Sequence, residues 1–81
     1  MNREKFNRKY AKYIAQGFYG AEIDAEEMLD YLDKEFETYL KENPHLQIFQ
    51  IKMKFGYVRV YTNSSIDREW ENFINTIILK K

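Results

Sequence analysis

The stretch Gln50-Ile51-Lys52-Met53-Lys54-Phe55-Gly56-Tyr57-Val58-Arg59-Val60-Tyr61 decides the fold of this chain. Apolar and polar residues alternate on both sides of Phe55-Gly56, which is the period of strands with one face buried. Phe49, Ile51 and Met53 alternate with Gln50, Lys52 and Lys54, and Val58 and Val60 alternate with Tyr57, Arg59 and Tyr61. A hairpin with a two-residue turn sets Lys54 opposite Tyr57, Met53 opposite Val58, Lys52 opposite Arg59, Ile51 opposite Val60 and Gln50 opposite Tyr61. Every apolar pair then falls on one face, and a shift of one residue would destroy that agreement. Phe55 is the weak point, because such turns favour Asn or Gly. A distorted or bulged turn is therefore expected.

On either side of this segment the apolar period is that of a helix. Phe6, Tyr10, Tyr13 and Ile14 form one stripe and predict a helix over residues 2–16. Gly17 and Gly20 break it, and Phe18 and Tyr19 between them are expected to tuck back onto the core, the alternative being an aromatic loop that grips a ligand. Asp24 followed by Glu27 reads as a capping box. The stripe Met28, Leu29, Leu32, Phe36, Tyr39 and Leu40 then predicts a helix over 25–41, stopped by Asn43-Pro44. Ser64 or Ser65 is the expected cap of a last helix carrying Ile66, Trp70, Phe73, Ile74, Ile77 and Ile78, with Lys80 and Lys81 suited to its negative end. The expectation is one domain over residues 1–81. It is α+β and two-layered, in the order ααββα, with an antiparallel β-hairpin packed against helices.

A chain of 81 residues buries only about 60–65% of its unfolded surface. Aromatic residues make up 17% of it, and their area lets a small core suffice. There is no cysteine, which excludes disulfides, a thiolate nucleophile and zinc–thiolate sites. No secretion signal and no apolar run of spanning length is present. A cytoplasmic protein with no membrane contact is expected.

The net charge is zero but unevenly spread. Residues 1–20 sum to +4, residues 21–43 to −7 and residues 44–81 to +3. Basic and acidic helices lying side by side account for this, although such asymmetry also steers partners. Asp30, Asp33 and Glu37 share a helix side, a pattern more typical of a solvated face than of a cation site. His45, the one histidine, stands beside Pro44 with no nucleophile near it in sequence. Gly-rich phosphate loops, nucleophile–base pairs and metal motifs are lacking, so no enzyme activity and no cofactor are expected.

What remains is the polar face of the hairpin. Lys52, Lys54, Tyr57, Arg59 and Tyr61 project together and combine cations with rings, which suits an acidic protein surface or the phosphate and base of a nucleotide. The same residues are ordinary solvent-side strand residues. Neutral net charge disfavours a dedicated nucleic-acid binder.

The hairpin resembles a pattern found in small bacterial and phage proteins of unassigned function, approximately Gln-[Ile/Val]-Lys-Glu-Lys-Phe-Gly-x-Leu-Arg-x-Tyr. Gln50, Ile51, Lys52, Lys54, Phe55, Gly56, Arg59 and Tyr61 match it, while Met53, Tyr57 and Val58 depart from it. Gly17-Phe18-Tyr19 is similar to an upstream Gly-Trp-Tyr-like segment of those proteins. The resemblance implies a fold and a bacterial or phage origin, and no activity; a cysteine-containing segment common in that group has no counterpart here. The resulting expectation is a non-enzymatic interaction protein that binds a protein partner, such as a host defence factor it inhibits. A module for a nucleotide or another anionic ligand on the hairpin face is the alternative, and a homodimer is compatible with either.

Overall fold

The computed structural model describes residues 1–79. Helix α1 (Arg3–Lys9) leads through a 3-10 turn at Ala11–Tyr13 to a short strand β1 (Gly20–Ala21). Helix α2 (Glu26–Leu40), the hairpin β2 (Ile48–Lys54) and β3 (Tyr57–Thr62), and helix α3 (Asp67–Phe73) follow, and α3 continues as a π-helical turn over Ile74–Ile78. The class is the expected α+β, with a strand added: the sheet is three-stranded and mixed, in the order β1-β2-β3. Lys80 and Lys81, expected at the end of the last helix, lie outside the described residues.

The hairpin register is the one the alternation dictates, from Lys54 opposite Tyr57 to Gln50 opposite Tyr61. Beyond that, Ile48 faces Thr62, so Phe49 is an extra residue on β2. This β-bulge reverses the parity of the strand. Ile48 joins Ile51, Val58 and Val60 in the buried row, and Phe49, expected there, is only half-buried. Met53, the last of the expected row, is 41% exposed because it lies near the hairpin tip. The irregularity thus sits at Phe49 rather than at the turn, where Phe55 and Gly56 both take positive φ, +54° and +83°. That is the backbone sign pattern of a type I′ turn, whose twist matches the strands it joins.

The first helix is shorter than its stripe suggests. After Tyr10 the chain turns to run beside β2, where the Ala15 N–H donates to the Ile48 carbonyl at 2.9 Å and Glu22 N–H to that of Ile51 at 2.8 Å. Residues 14–15 and 20–22 thus satisfy their backbone groups on the sheet, and residues 16–19 loop outward between them. Phe18 and Tyr19 consequently do not tuck in; they are 50% and 78% exposed. Asp24 does not cap α2, whose N-cap is Ala25. Its carboxylate instead accepts from Arg3 N–H at 3.1 Å in the first turn of α1. Ser64 and Ser65 do not cap α3 either: the N-cap is Ile66, and Ser64 Oγ accepts from Ile66 N–H at 3.3 Å.

All helices lie on one side of the sheet. Phe6, Tyr10, Phe36 and Trp70 form a ring cluster with centroid separations of 4.8–5.7 Å, over the buried strand residues. Burying one such ring is worth roughly 1.5–3 kcal/mol, and the cluster joins the three helical segments to one another. Of the last stripe, Trp70 and Ile74 are buried while Phe73 and Ile77 stay exposed.

The charge asymmetry is met in the helical layer. Lys9 on α1 pairs with Asp33 at 2.7 Å and Glu37 at 3.2 Å, and the Met1 amine with Asp30 at 2.6 Å. The Tyr10 hydroxyl also donates to Asp33 Oδ1 at 2.6 Å. Burial alone would push the Asp33 carboxyl up, but the bonds from Lys9 and Tyr10 outweigh it and hold the group below its ordinary range.

Candidate functional site

At both edges of the sheet, side chains from the helices bond outward backbone groups. At the β1 edge, Asn7 accepts from Ala21 N–H at 2.8 Å through Oδ1 and donates to the Ala21 carbonyl at 3.0 Å through Nδ2. A primary amide used this way imitates the peptide of a neighbouring strand. Gly20 makes the approach possible: a Cβ there would meet Asn7 Oδ1 and Ile14 Cδ1 at 2.7 Å, and its φ is +71°. At the β3 edge, Asn75 does the same to Val58, accepting from N–H at 2.8 Å and donating to the carbonyl at 3.2 Å. Glu71 accepts from Val60 N–H and Asp67 from Thr62 N–H, both at 2.7 Å. Asp67, Glu71 and Asn75 recur every four residues, one helical stripe against alternate N–H groups of a strand.

The outer face of the sheet remains open. Strand parity brings Lys52, Lys54, Tyr57, Arg59 and Tyr61 onto it together, as expected, with Lys52 directly opposite Arg59 and Lys54 opposite Tyr57. The Lys52 ammonium lies 5.9 Å from the centre of the Tyr61 ring. Arg59 reaches to the β3 edge, where its guanidinium is 3.5 Å from Glu71. On the other side Gln50 donates to the Glu22 carboxylate. The bulge sets Phe49 beside Phe18 with ring centroids 4.9 Å apart. These rings, with Tyr19, continue the aromatic surface past Gln50.

Phe55 and Phe49 are the members of this surface that sequence reasoning missed, whereas Phe18 and Tyr19 are expected on the core with an exposed aromatic loop as the alternative. For Phe55 a signal existed, namely a large ring at a turn position that favours Asn or Gly. For Phe49 none did, because the bulge follows from Ile48 pairing with Thr62; for Phe18 and Tyr19 the flanking Gly17 and Gly20 allowed a loop, and neighbours on β2 decide it.

The other candidate groups serve the fold. Asp33 and Glu37 are occupied by Lys9, and Asp30 by the Met1 amine. Among the described residues no group of three His, Cys, Asp or Glu is arranged to hold a metal ion. His45 lies exposed in the α2–β2 connection, where its carbonyl accepts from Asn63 Nδ2 at 3.1 Å. It borders a shallow groove of about 280 Å³ that also includes Tyr39, Asn43 and Ser64. A second groove of about 240 Å³ runs beside the β3 edge between Arg59, Tyr61, Asp67, Arg68 and Glu71. Burial pushes the Asp67 carboxyl up, against the lowering effect of its bonds from Thr62. Among the described residues no helix is long and apolar enough to cross a membrane.

No family model matches the chain, and neither a curated protein nor a solved structure matches it.

Proposed function

We propose that this chain is a non-enzymatic interaction protein that docks a protein partner on the outer face of its sheet. The observation that supports this reading is the combination of edge N–H groups occupied by helix side chains with an open face. Strand addition, a common route of β-sheet recognition, needs free backbone groups at an edge, and here side chains of α1 and of the α3 stripe take the N–H groups of Ala21, Val58, Val60 and Thr62. The open face presents Lys52, Lys54 and Arg59 among Tyr57, Tyr61 and Phe55, residue types that suit an interface with an acidic partner. Like charges argue against packing this face on its own copy. The hairpin resemblance suggests a bacterial or phage setting in which the protein blocks a host factor.

Affinity capture from the native host, with wild type and with a Lys52→Glu, Lys54→Glu, Arg59→Gln variant, tests the reading. Gln is used at position 59 because Glu would place a second carboxylate beside Glu71. A stoichiometric protein partner that the folded variant loses is the expected outcome. A partner retained in full by the variant removes the outer face from consideration.

A second reading, binding of a nucleotide or another anionic ligand, is favoured by the groove that holds Arg59 and Arg68. Asp67 and Glu71 line the same groove and oppose an anion there. A thermal-shift panel separates the two readings, since a ligand at 100 times its Kd stabilises by about 2.7 kcal/mol.

A further inference from the structure

We infer that Phe55 is the anchor of the docking face, a knob that enters an apolar pocket rimmed by carboxylates on the partner protein. The inference rests on the reading of the outer face given above and names the chemistry that meets it. Phe55 holds φ at +54° at the first central position of the β2–β3 turn, and it is 90% exposed. The left-handed conformation is unfavourable for any residue with a Cβ, and such positions ordinarily go to Gly, Asn or Asp. Full exposure of a benzyl ring forfeits the gain of burial. The fold offsets neither cost: the Lys54 ammonium, 5.9 Å from the ring centre, stands at the outer limit of cation–π reach. Asn at this position would serve the hairpin better in both respects. A strained and exposed residue that the fold does not need points to a use outside the fold.

The geometry also selects the occupant. A tight turn holds the backbone beneath the ring, so insertion orders only the two side-chain torsions, and a pocket of fixed shape rewards that. A lipid surface is fluid and would accept the same apolar area in any backbone conformation. A single strand of nucleic acid stacks on rows of rings, which Tyr57 and Tyr61 supply without Phe55. Lys54 adjoins the knob, and the Lys52–Arg59 pair follows along the same face. Carboxylates around the pocket complete the charge match.

Phe55 replaced by p-benzoylphenylalanine, irradiated in lysate of the native host, tests this together with Phe55→Asn. The expected cross-link goes to one protein, on a segment lining an apolar pocket that carries Asp or Glu at its rim. Excess wild type competes it away and Phe55→Asn does not. Against the purified partner, Phe55→Asn loses affinity by ~30-fold or more, while its own Tm rises by roughly 4–8 °C as the backbone strain is relieved. Binding within threefold of wild type, a fall in Tm, a cross-link to lipid or nucleic acid, or no cross-link that wild type displaces would each overturn the inference. If a partner is lost with Lys52→Glu, Lys54→Glu but kept by Phe55→Asn, the knob fails and the outer-face reading stands. If all variants keep it, both fail.

Discussion

The two edges of the sheet end in the same device at different strengths. At β1 one neutral amide, Asn7, closes a strand that exposes a single peptide. At β3 the matching amide, Asn75, closes one peptide of a longer strand, and Glu71 and Asp67 extend the seal to the next two outward N–H groups. The difference teaches that a helix can stand in for a missing strand when its four-residue repeat carries acceptors. It also makes the β3 edge answer to pH, which the β1 edge cannot do. Both devices disfavour edge-to-edge pairing and leave the face between them open.

The comparison breaks most severely at Gly20. Gly20→Ala forces a Cβ to within 2.7 Å of Asn7 and Ile14 in a left-handed backbone, which prises the amide from Ala21. The expected loss is about 3 kcal/mol, from backbone strain and overpacking together, measured by urea unfolding. Next comes Glu71→Ala, which leaves the Val60 N–H unbonded beneath the buried side of α3. A loss of about 2–3 kcal/mol is expected, with Glu71→Gln recovering more than half because it keeps an acceptor. A Gln variant as damaging as Ala would show that the Arg59 pairing, not the edge bond, is what Glu71 supplies.

Truncating the amides sharpens the symmetry. Asn7→Ala and Asn75→Ala should each lose about 1–2 kcal/mol. The double variant should be additive within ~0.5 kcal/mol, since the sites share no partner. Strong coupling would mean that the edges open together. The variants should also self-associate at high concentration, which sedimentation velocity would detect.

The smallest expected effect concerns pH. Asp67 is raised by burial, so the folded state binds its proton more readily than the unfolded chain does, and this group's contribution to stability grows as pH falls through its pKa. Asp33 is lowered by Lys9 and Tyr10 against the effect of its burial, so its contribution is present above the unfolded carboxylate value and is lost as pH falls through the lowered one. Unfolding titrations between pH 7 and pH 3 should therefore give opposite slopes. The advantage of wild type over Asp67→Asn rises towards acid, and its advantage over Asp33→Asn falls. Parallel slopes would sink the assignment.

Much of this was legible in the sequence because it depends on neighbours in the chain. The hairpin register follows from alternation around Phe55-Gly56, and α2 from a stripe closed by Asn43-Pro44. The expected site residues Lys52, Lys54, Tyr57, Arg59 and Tyr61 share a face because parity requires it. Five features were not legible. Strand β1 has two residues, too few for a period, and exists because β2 offers it carbonyls. The early end of α1 and the outward loop at Phe18-Tyr19 follow from the same pairing. The bulge at Phe49 is decided by the Ile48–Thr62 pairing, and Asp24 acts on Arg3 rather than on its own helix.

The sequence alone thus determined the layers, the hairpin and the split between its buried and basic faces, because hydrophobic period is a local property that burial reads directly. Only the tertiary structure decided which backbone groups lie free. Asn7, Glu71 and Asn75 look like solvated helix residues until the strands arrive beside them. Their bonds span 11 to 17 residues of chain, and no spacing rule within a helix announces a partner that far away.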